Sequence, residues 1–373
     1  MRVLVLAPPL GSAGGIQRYT LTLIRALEDL FSQHGVRCVT ASDSNNRNRK
    51  GRFSAGVKLR FGLQAIREVA RWQPDLVICS HLALGPVGWL VATLAERPYW
   101  IVVHGIEAWG SLTYEKRAAL QHADRVVVAS AFSRELVVKR HRIDRHCISS
   151  LPCSLDETLL GIEGNFEPAN NTLHGYFTDD RRVLLTVARM VASEGYKGHD
   201  VVLRALPPVL AQIPNLTYAI VGAGDDRARL ERLAANLGLA SHVVFTGEVN
   251  DAELAALYRR CEIFVLPART VIEDNNPKGE GFGIVFLEAM AFGKPVIGPN
   301  CGAPVELIRE GENGLRVDPE DPTSVSDALI QLLDNPDAGQ QMGKAGSEWV
   351  RKHYSYGSFR ERLREALCTA DGS

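Results

Sequence analysis

The sequence predicts an α/β protein built from two doubly wound parallel-sheet domains, and three observations carry that reading. Short apolar runs rich in β-branched residues alternate with longer amphipathic stretches, the pattern of β-α-β units joined by right-handed crossovers. The alternation comes as two series, separated by a stretch in which it dissolves. The length of 373 residues, with 46% hydrophobic and 23% charged residues, suits two cores of ordinary size.

In the first series the strand candidates are Val3–Ala7, Arg37–Ala41, Leu76–Ser80, Trp100–His104, Arg125–Ala129 and Ile148–Leu151. Helical stretches such as Gln17–Gln33 and Gly85–Leu94 lie between them. The second series runs through Val183–Ala188, Tyr218–Val221, Val243–Thr246, Ile263–Leu266 and Pro295–Gly298. Between Asp156 and Asp180, Gly161-Ile-Glu-Gly-Asn165 and Glu167-Pro-Ala-Asn-Asn171 read as a connecting segment. The expected domains are therefore 1–170 and 171–356, with ligands bound at the carboxyl ends of the strands.

Charge and cysteine usage narrow the function. A formal net charge of -1 argues against a dedicated nucleic-acid binder. The seven cysteines (38, 79, 147, 153, 261, 301, 368) contain no Cys-x-x-Cys, so neither a zinc site nor a disulfide framework is indicated. That pattern fits a reducing cytoplasm. The opening run Met1-Arg-Val-Leu-Val-Leu-Ala7 is cut by Pro8-Pro9 and reads as a first strand rather than a signal peptide. No segment reaches the ~18 apolar residues of a membrane span.

The most telling stretch is Glu280-Gly-Phe-Gly-Ile-Val-Phe-Leu-Glu288, in which two carboxylates flank a Gly-Phe-Gly turn that enters an apolar helical run. A helix N-terminus offers unpaired N–H groups and a positive dipole end, and glycine lets a ligand approach the backbone closely. Glu280 stands at the mouth and Glu288 about two turns further on. Such a layout suits a sugar nucleotide, with hydroxyls at both ends and a diphosphate between. Upstream, Val187-Ala-Arg189-Met-Val-Ala-Ser-Glu194-Gly-Tyr-Lys197-Gly198-His199-Asp200 follows a strand and supplies a guanidinium fork and a mobile ammonium for a diphosphate.

This segment resembles the Glu-x7-Glu motif of retaining glycosyltransferase family four, which has the GT-B fold. Gly293-Lys-Pro-Val-Ile297, Asn300-Cys-Gly302-Ala-Pro304-Val-Glu306 and Glu310-Gly-Glu-Asn-Gly314 follow that family's order, and Arg189…Lys197-Gly198 matches its phosphate motif, with Ala188 in place of the commoner glycine. The resemblance implies two Rossmann-like domains facing across a cleft, an acceptor domain 1–170 and a donor domain 171–356, with the last helix (357–373) crossing back. It implies that Glu280 binds hexose hydroxyls, Glu288 the ribose, and Arg189 and Lys197 the diphosphate. Gly281, Phe282, Gly283, Ile284 and Val285 line the donor site, with Gly14 and Gly15 of the loop Gly11–Arg18 near the donor phosphate. Gly222, after the second-series strand Tyr218–Val221, and Val249 line the nucleotide side.

His104 ends an apolar strand and, by the same resemblance, contacts the donor sugar and supports catalysis; Glu107 lies within reach of an acceptor. The catalytic set is thus His104, Glu280, Arg189 and Lys197. The expected reaction is retaining hexosyl transfer from a nucleoside diphosphate sugar to a hydroxyl, without metal or other cofactor. A UDP-hexose such as UDP-glucose is the first expected donor and GDP-mannose the second. The basic, apolar-interleaved stretch 47–71 reads either as a surface for anionic lipid or as a flexible loop and a solvated helix face. It suggests a cytoplasmic enzyme peripheral to the inner face of the plasma membrane. The acceptor would be a growing glycan or a polyprenyl-linked sugar in exopolysaccharide assembly. The alternatives are a GT-B phosphorylase or epimerase, and a non-catalytic nucleotide-sugar-binding subunit. The insert Arg269–Gly279 reads as a lid or as a longer surface loop.

Overall fold

In the computed structural model the described residues are 1–11, 14–41, 55–162, 177–274 and 276–369. The chain divides into two compact units. The first comprises Met1–Ser154, Asp274–Asn276 and Tyr356–Ser373; the second comprises Leu155–Glu273 and Pro277–Ser355.

The first unit holds strands β1 (Val3–Ala7), β2 (Val36–Thr40), β3 (Leu76–Cys79), β4 (Tyr99–Val103), β5 (Arg125–Val128) and β6 (Ile148–Ser150). Their order is β2-β1-β3-β4-β5-β6, and every pairing is parallel. Side chains alternate across a strand, so β1 feeds two cores. Val3 and Val5 share one with Tyr19, Leu23, Phe359 and Leu363, from helices Gly15–Phe31 and Tyr356–Cys368. Leu4 and Leu6 share the other with Phe61, Ala65, Val91 and Ala92, from helices Ala55–Trp72 and Gly85–Ala95. A sheet covered on both faces needs apolar residues at every position, which is why β1 and β4 read as unbroken hydrophobic runs.

The second unit holds β7 (Arg182–Val187), β8 (Leu216–Val221), β9 (Val243–Gly247), β10 (Ile263–Val265), β11 (Val271–Glu273), β12 (Asn276–Lys278, apart from its first residue), β13 (Val296–Pro299) and β14 (Gly314–Val317). Six of them form a parallel sheet in the order β14-β13-β10-β7-β8-β9. Its strands run outward from β7 in one direction and from β10 in the other. The carboxyl ends of those two strands therefore flank the topological switch point, where open α/β sheets bind ligands.

Three details differ from the sequence reading. The partition falls at Ser154/Leu155 instead of 170/171. Leu159 of the short helix Glu157–Leu160 is buried and Arg259 donates to the Ile162 carbonyl, which ties this segment to the second unit. Strand β14 was not anticipated. The insert after Arg269 forms a short hairpin, β11 with β12, held by an ion pair between Lys278 and Glu273.

Candidate functional site

The switch point of the second unit is fed by two loops. After β7, Ala188 and Met190 extend the pairing with β8 by donating to the Val221 and Ala223 carbonyls, at 3.0 Å each. This leaves no room for side chains opposite. A Cβ on Gly222 (φ +134) would stand 2.2 Å from the Ala188 carbonyl oxygen, so glycine is required there by close packing. Gly222 also donates to the Gly247 carbonyl at 2.9 Å, which fixes the start of the Gly247–Asn250 segment carrying half-buried Val249.

Beyond Arg189 the chain makes a 3-10 helix, Ala192–Lys197, turns at Gly198 (φ +79) and enters helix His199–Gln212. Arg189 forms an ion pair with Glu194, and its side chain is otherwise largely in solvent. Lys197 is directed to the second loop, the one that follows β10, where it forms an ion pair with Glu280. Both side chains are largely withdrawn from water, 14% and 18% exposed. The Lys197 ammonium lies 5.5 Å from the Tyr196 ring centroid. Burial first, and then the carboxylates of Glu194 and Glu280, push the Tyr196 phenol above its ordinary range.

Glu280 leads into Gly281, buried Phe282 and Gly283, whose φ of +104 turns the chain into helix Ile284–Ala291. No side chain caps that helix. The amides at half-buried Ile284 and Val285 belong to the first turn, where N–H groups lack intrahelical partners. The Phe282 ring packs 5.9 Å from Tyr354 and anchors the turn. Glu288, one turn further along, is only 2% exposed, and one of its oxygens accepts from the Tyr258 hydroxyl at 2.8 Å. Tyr258 in turn stacks on Phe292 at 5.4 Å.

In the second unit sequence reasoning missed two supporting residues. Arg269 donates to the Gly195 carbonyl at 2.7 Å and to Asp200 at 2.9 Å, while its backbone N–H reaches Tyr196 at 2.6 Å. It thereby ties the base of the Glu280 loop to the Lys197 turn. A lone arginine opening an insert was the available signal. Tyr258, inside an ordinary amphipathic helix, gave none.

In the first unit the loops after β1, β3 and β4 carry the remaining expected residues. Gly14 (φ -172) is the extended residue before helix Gly15–Phe31, and no side chain caps it. His104 places Nε2 at 2.8 Å from the Ser80 carbonyl, and its ring meets Tyr19 edge-on at 5.1 Å and stacks on His81 at 5.9 Å. The Ser80 carbonyl is an acceptor, so the proton of a neutral His104 ring sits on Nε2 and Nδ1 is left as an acceptor. His81, not anticipated, accepts the Ala83 N–H at Nδ1, 3.0 Å. Burial lowers its pKa, opposed by Glu107 and aided by His104 and Lys116. The Glu107 carboxylate accepts the His104 N–H at 2.5 Å and so closes its own helix start. Of the basic stretch 47–71, residues 47–54 lie outside the described residues.

Comparison with known proteins assigns both halves. Residues 175–349 match the model "Glycosyl transferases group 1" and residues 13–159 match "Glycosyltransferase Family 4". The GDP-mannose-dependent alpha-(1-6)-phosphatidylinositol monomannoside mannosyltransferase of Mycolicibacterium smegmatis is 31% identical over 76% of this chain and 72% of that protein. The phosphatidyl-myo-inositol mannosyltransferase of Mycobacterium tuberculosis is 34% identical over 85% of this chain and 80% of its own length. Among solved structures, an Anabaena protein crystallised with UDP superposes with a TM-score of 0.75 at 18% identity, covering 99% of this chain and 100% of that one. The chain belongs to glycosyltransferase family four, and its two parallel-sheet units are those of the GT-B fold.

Proposed function

We propose that this glycosyltransferase moves a hexosyl group, with retention of anomeric configuration and without a metal, from a nucleoside diphosphate sugar to a hydroxyl on a lipid-borne acceptor. The observation that carries the proposal is the meeting of Lys197 and Glu280 at the switch point of the second unit. In this ion pair each neutralises the other. When donor enters, Lys197 exchanges Glu280 for the diphosphate, and Glu280 becomes free to accept hydrogen bonds from the hexose hydroxyls. Arg189 leaves Glu194 in the same way. The first-turn amides of helix Ile284–Ala291 add donors aimed at the departing diphosphate, so charge that develops in the transition state meets groups already in place. Glu288, oriented by Tyr258, takes the ribose hydroxyls. The acceptor attacks from the face the diphosphate leaves, and the leaving phosphate oxygen takes its proton.

GDP-mannose is the first donor, because the Mycolicibacterium relative bears that donor in its name and both mycobacterial relatives are called mannosyltransferases. This reverses the order drawn from sequence, in which a UDP-hexose came first. The same names favour an inositol phospholipid or a glycosylated form of it over a polyprenyl-linked sugar. His104 enters through the family resemblance, and His104→Ala is expected to lower turnover.

The test is a transfer reaction with GDP-mannose or UDP-glucose, an inositol phospholipid or polyprenyl-linked sugar, and EDTA, with the product linkage read by NMR. An α-linked product formed from one donor in EDTA is expected. A β-linked product, or activity abolished by EDTA and restored by metal, would overturn the retaining, metal-free reading.

A further inference from the structure

Three elements that build the proposed donor site have their far ends in one place. Helix Asp251–Arg260 begins just past Val249, carries Tyr258 and ends at Arg259 and Arg260. Helix Ile284–Ala291 begins at the Gly283 turn, carries Glu288 and is followed by Gly293 and Lys294. Strand β10 starts at Ile263 and feeds the loop that leads to Glu280. Those ends surround a cavity of about 300 Å³ at the amino-terminal edge of the second sheet, with the first turn of helix Pro336–His353 as a further wall. A cavity of that size stands at the lower end of the range for small-ligand sites.

The lining is cationic. Arg259, Arg260 and Lys294 all contribute to it. Lys294 donates to the Arg259 carbonyl at 2.7 Å, and Arg260 to the Thr178 and Arg181 carbonyls at 2.8 and 2.6 Å. Carbonyl partners orient these groups and leave their charge in place. Both also bear on the buried Cys261 thiol, opposing the rise that burial imposes on it. Of the described lining residues only Glu262 is acidic, and Arg182 pairs with it. Gln340 adds an amide, and no aromatic ring among the described residues lines the cavity to stack a base. Glycine keeps the space open. A Cβ at Gly343 would stand 1.9 Å from the Gly293 carbonyl oxygen, so packing requires glycine there. At Gly339, one turn earlier, the nearest atom would be the Pro295 Cγ at 3.7 Å, with the Leu332 carbonyl oxygen next. Glycine is a poor helix residue and packing does not call for it at 339; a larger side chain would enter the cavity.

We infer that this cavity is an effector site for a small phosphomonoester with a hydroxylated body. The cations take the phosphate, and the Gln340 amide and Glu262 carboxylate suit hydroxyl groups. A phosphate held between Lys294 and the two arginines ties together the ends of the two helices that set Tyr258 against Glu288. Ordering that pair lowers the entropic cost of binding nucleotide, so the two ligands favour each other. This effect on nucleotide rests on the proposed donor site, whereas occupancy of the cavity does not.

The experiment is titration calorimetry of the full chain with glycerol 3-phosphate, and with glycerol as the neutral control, each alone and with saturating GDP or UDP. Wild type should bind glycerol 3-phosphate and not glycerol. Lys294→Gln should weaken that binding at least about tenfold. Gly339→Leu keeps every charge and fills the space, so it should weaken binding as much while melting no lower than the parent. Lys197→Ala, which alters the donor site, should leave it unchanged. The nucleotide that binds should do so at least about threefold more tightly with glycerol 3-phosphate present, and the reverse effect should have the same size. No binding of glycerol 3-phosphate by wild type, binding that survives Gly339→Leu, binding lost in Lys197→Ala, or unchanged nucleotide affinity would each overturn the inference. Failure of both nucleotides to bind would strike the proposed donor site instead, with the glycerol 3-phosphate titration still deciding the cavity.

Discussion

Lys197 and Glu280, 83 residues apart in the chain, are joined in one ion pair by the loops that follow the two strands at the switch point. Glu280→Gln should leave GDP or UDP binding unchanged or tighter, because it frees Lys197 for phosphate, while kcat/KM falls about 10²–10³-fold from the lost hexose contact. Lys197→Ala should weaken nucleoside diphosphate binding at least about tenfold. Titration calorimetry beside steady-state rates separates the two. Parallel loss of diphosphate affinity in both variants would contradict the exchange of partners.

Tyr258→Phe removes the hydroxyl that Glu288 accepts in a nearly closed environment. Leaving a buried hydrogen-bonding group without its partner costs about 1–3 kcal/mol, and urea unfolding should show a loss of that size. Nucleoside diphosphate affinity should fall with it. A fully stable variant with normal affinity would remove Tyr258 from the account.

Gly222→Ala separates packing from binding. Its φ of +134 and the Ala188 carbonyl 2.2 Å from the added Cβ predict a loss of at least about 2 kcal/mol. The expected signature is a lowered melting temperature, with a donor dissociation constant close to wild type in the fraction that stays folded. Unchanged stability with weakened donor binding would make Gly222 a ligand contact.

His199 gives a pH dependence. Burial, then the Lys197 charge, depress its pKa from 6.5 to about 4. Between those values the unfolded chain binds a proton that the folded chain refuses, so stability is full above pH 6.5 and declines as pH falls towards 4. The decline from this one group approaches about 3 kcal/mol. Unfolding free energies of wild type and His199→Gln from pH 7.5 to 4.5 should converge as the pH drops. A constant difference would exclude the histidine as the source.

Much of the fold was legible because parallel strands covered on both faces must be apolar throughout. Val183–Ala188 and Trp100–His104 were found to within a residue at each end. Strand β14 escaped because Arg316 interrupts it; the guanidinium bonds the Ile308 and Val305 carbonyls, and the residue's N–H donates to Glu310. The hairpin β11–β12 escaped because its strands are three residues each, mix apolar with polar residues and bury only Pro277. Within the site, residue types at the right spacing pointed to Arg189, Lys197, Glu280 and Glu288. That Lys197 meets Glu280 follows only from strand order, which local pattern does not carry. The same holds for Arg269 against Asp200 and Tyr258 against Glu288.

The most direct test of the central claim is titration of GDP-mannose and UDP-glucose, in EDTA, into wild type and Lys197→Ala. At ~100 times its dissociation constant the true donor should also stabilise the fold by ~2.7 kcal/mol, so a melting curve checks the calorimeter. The account predicts binding of one nucleotide family by wild type and a loss of at least about tenfold in the variant. No binding by folded wild type, or equal affinity in Lys197→Ala, would contradict it.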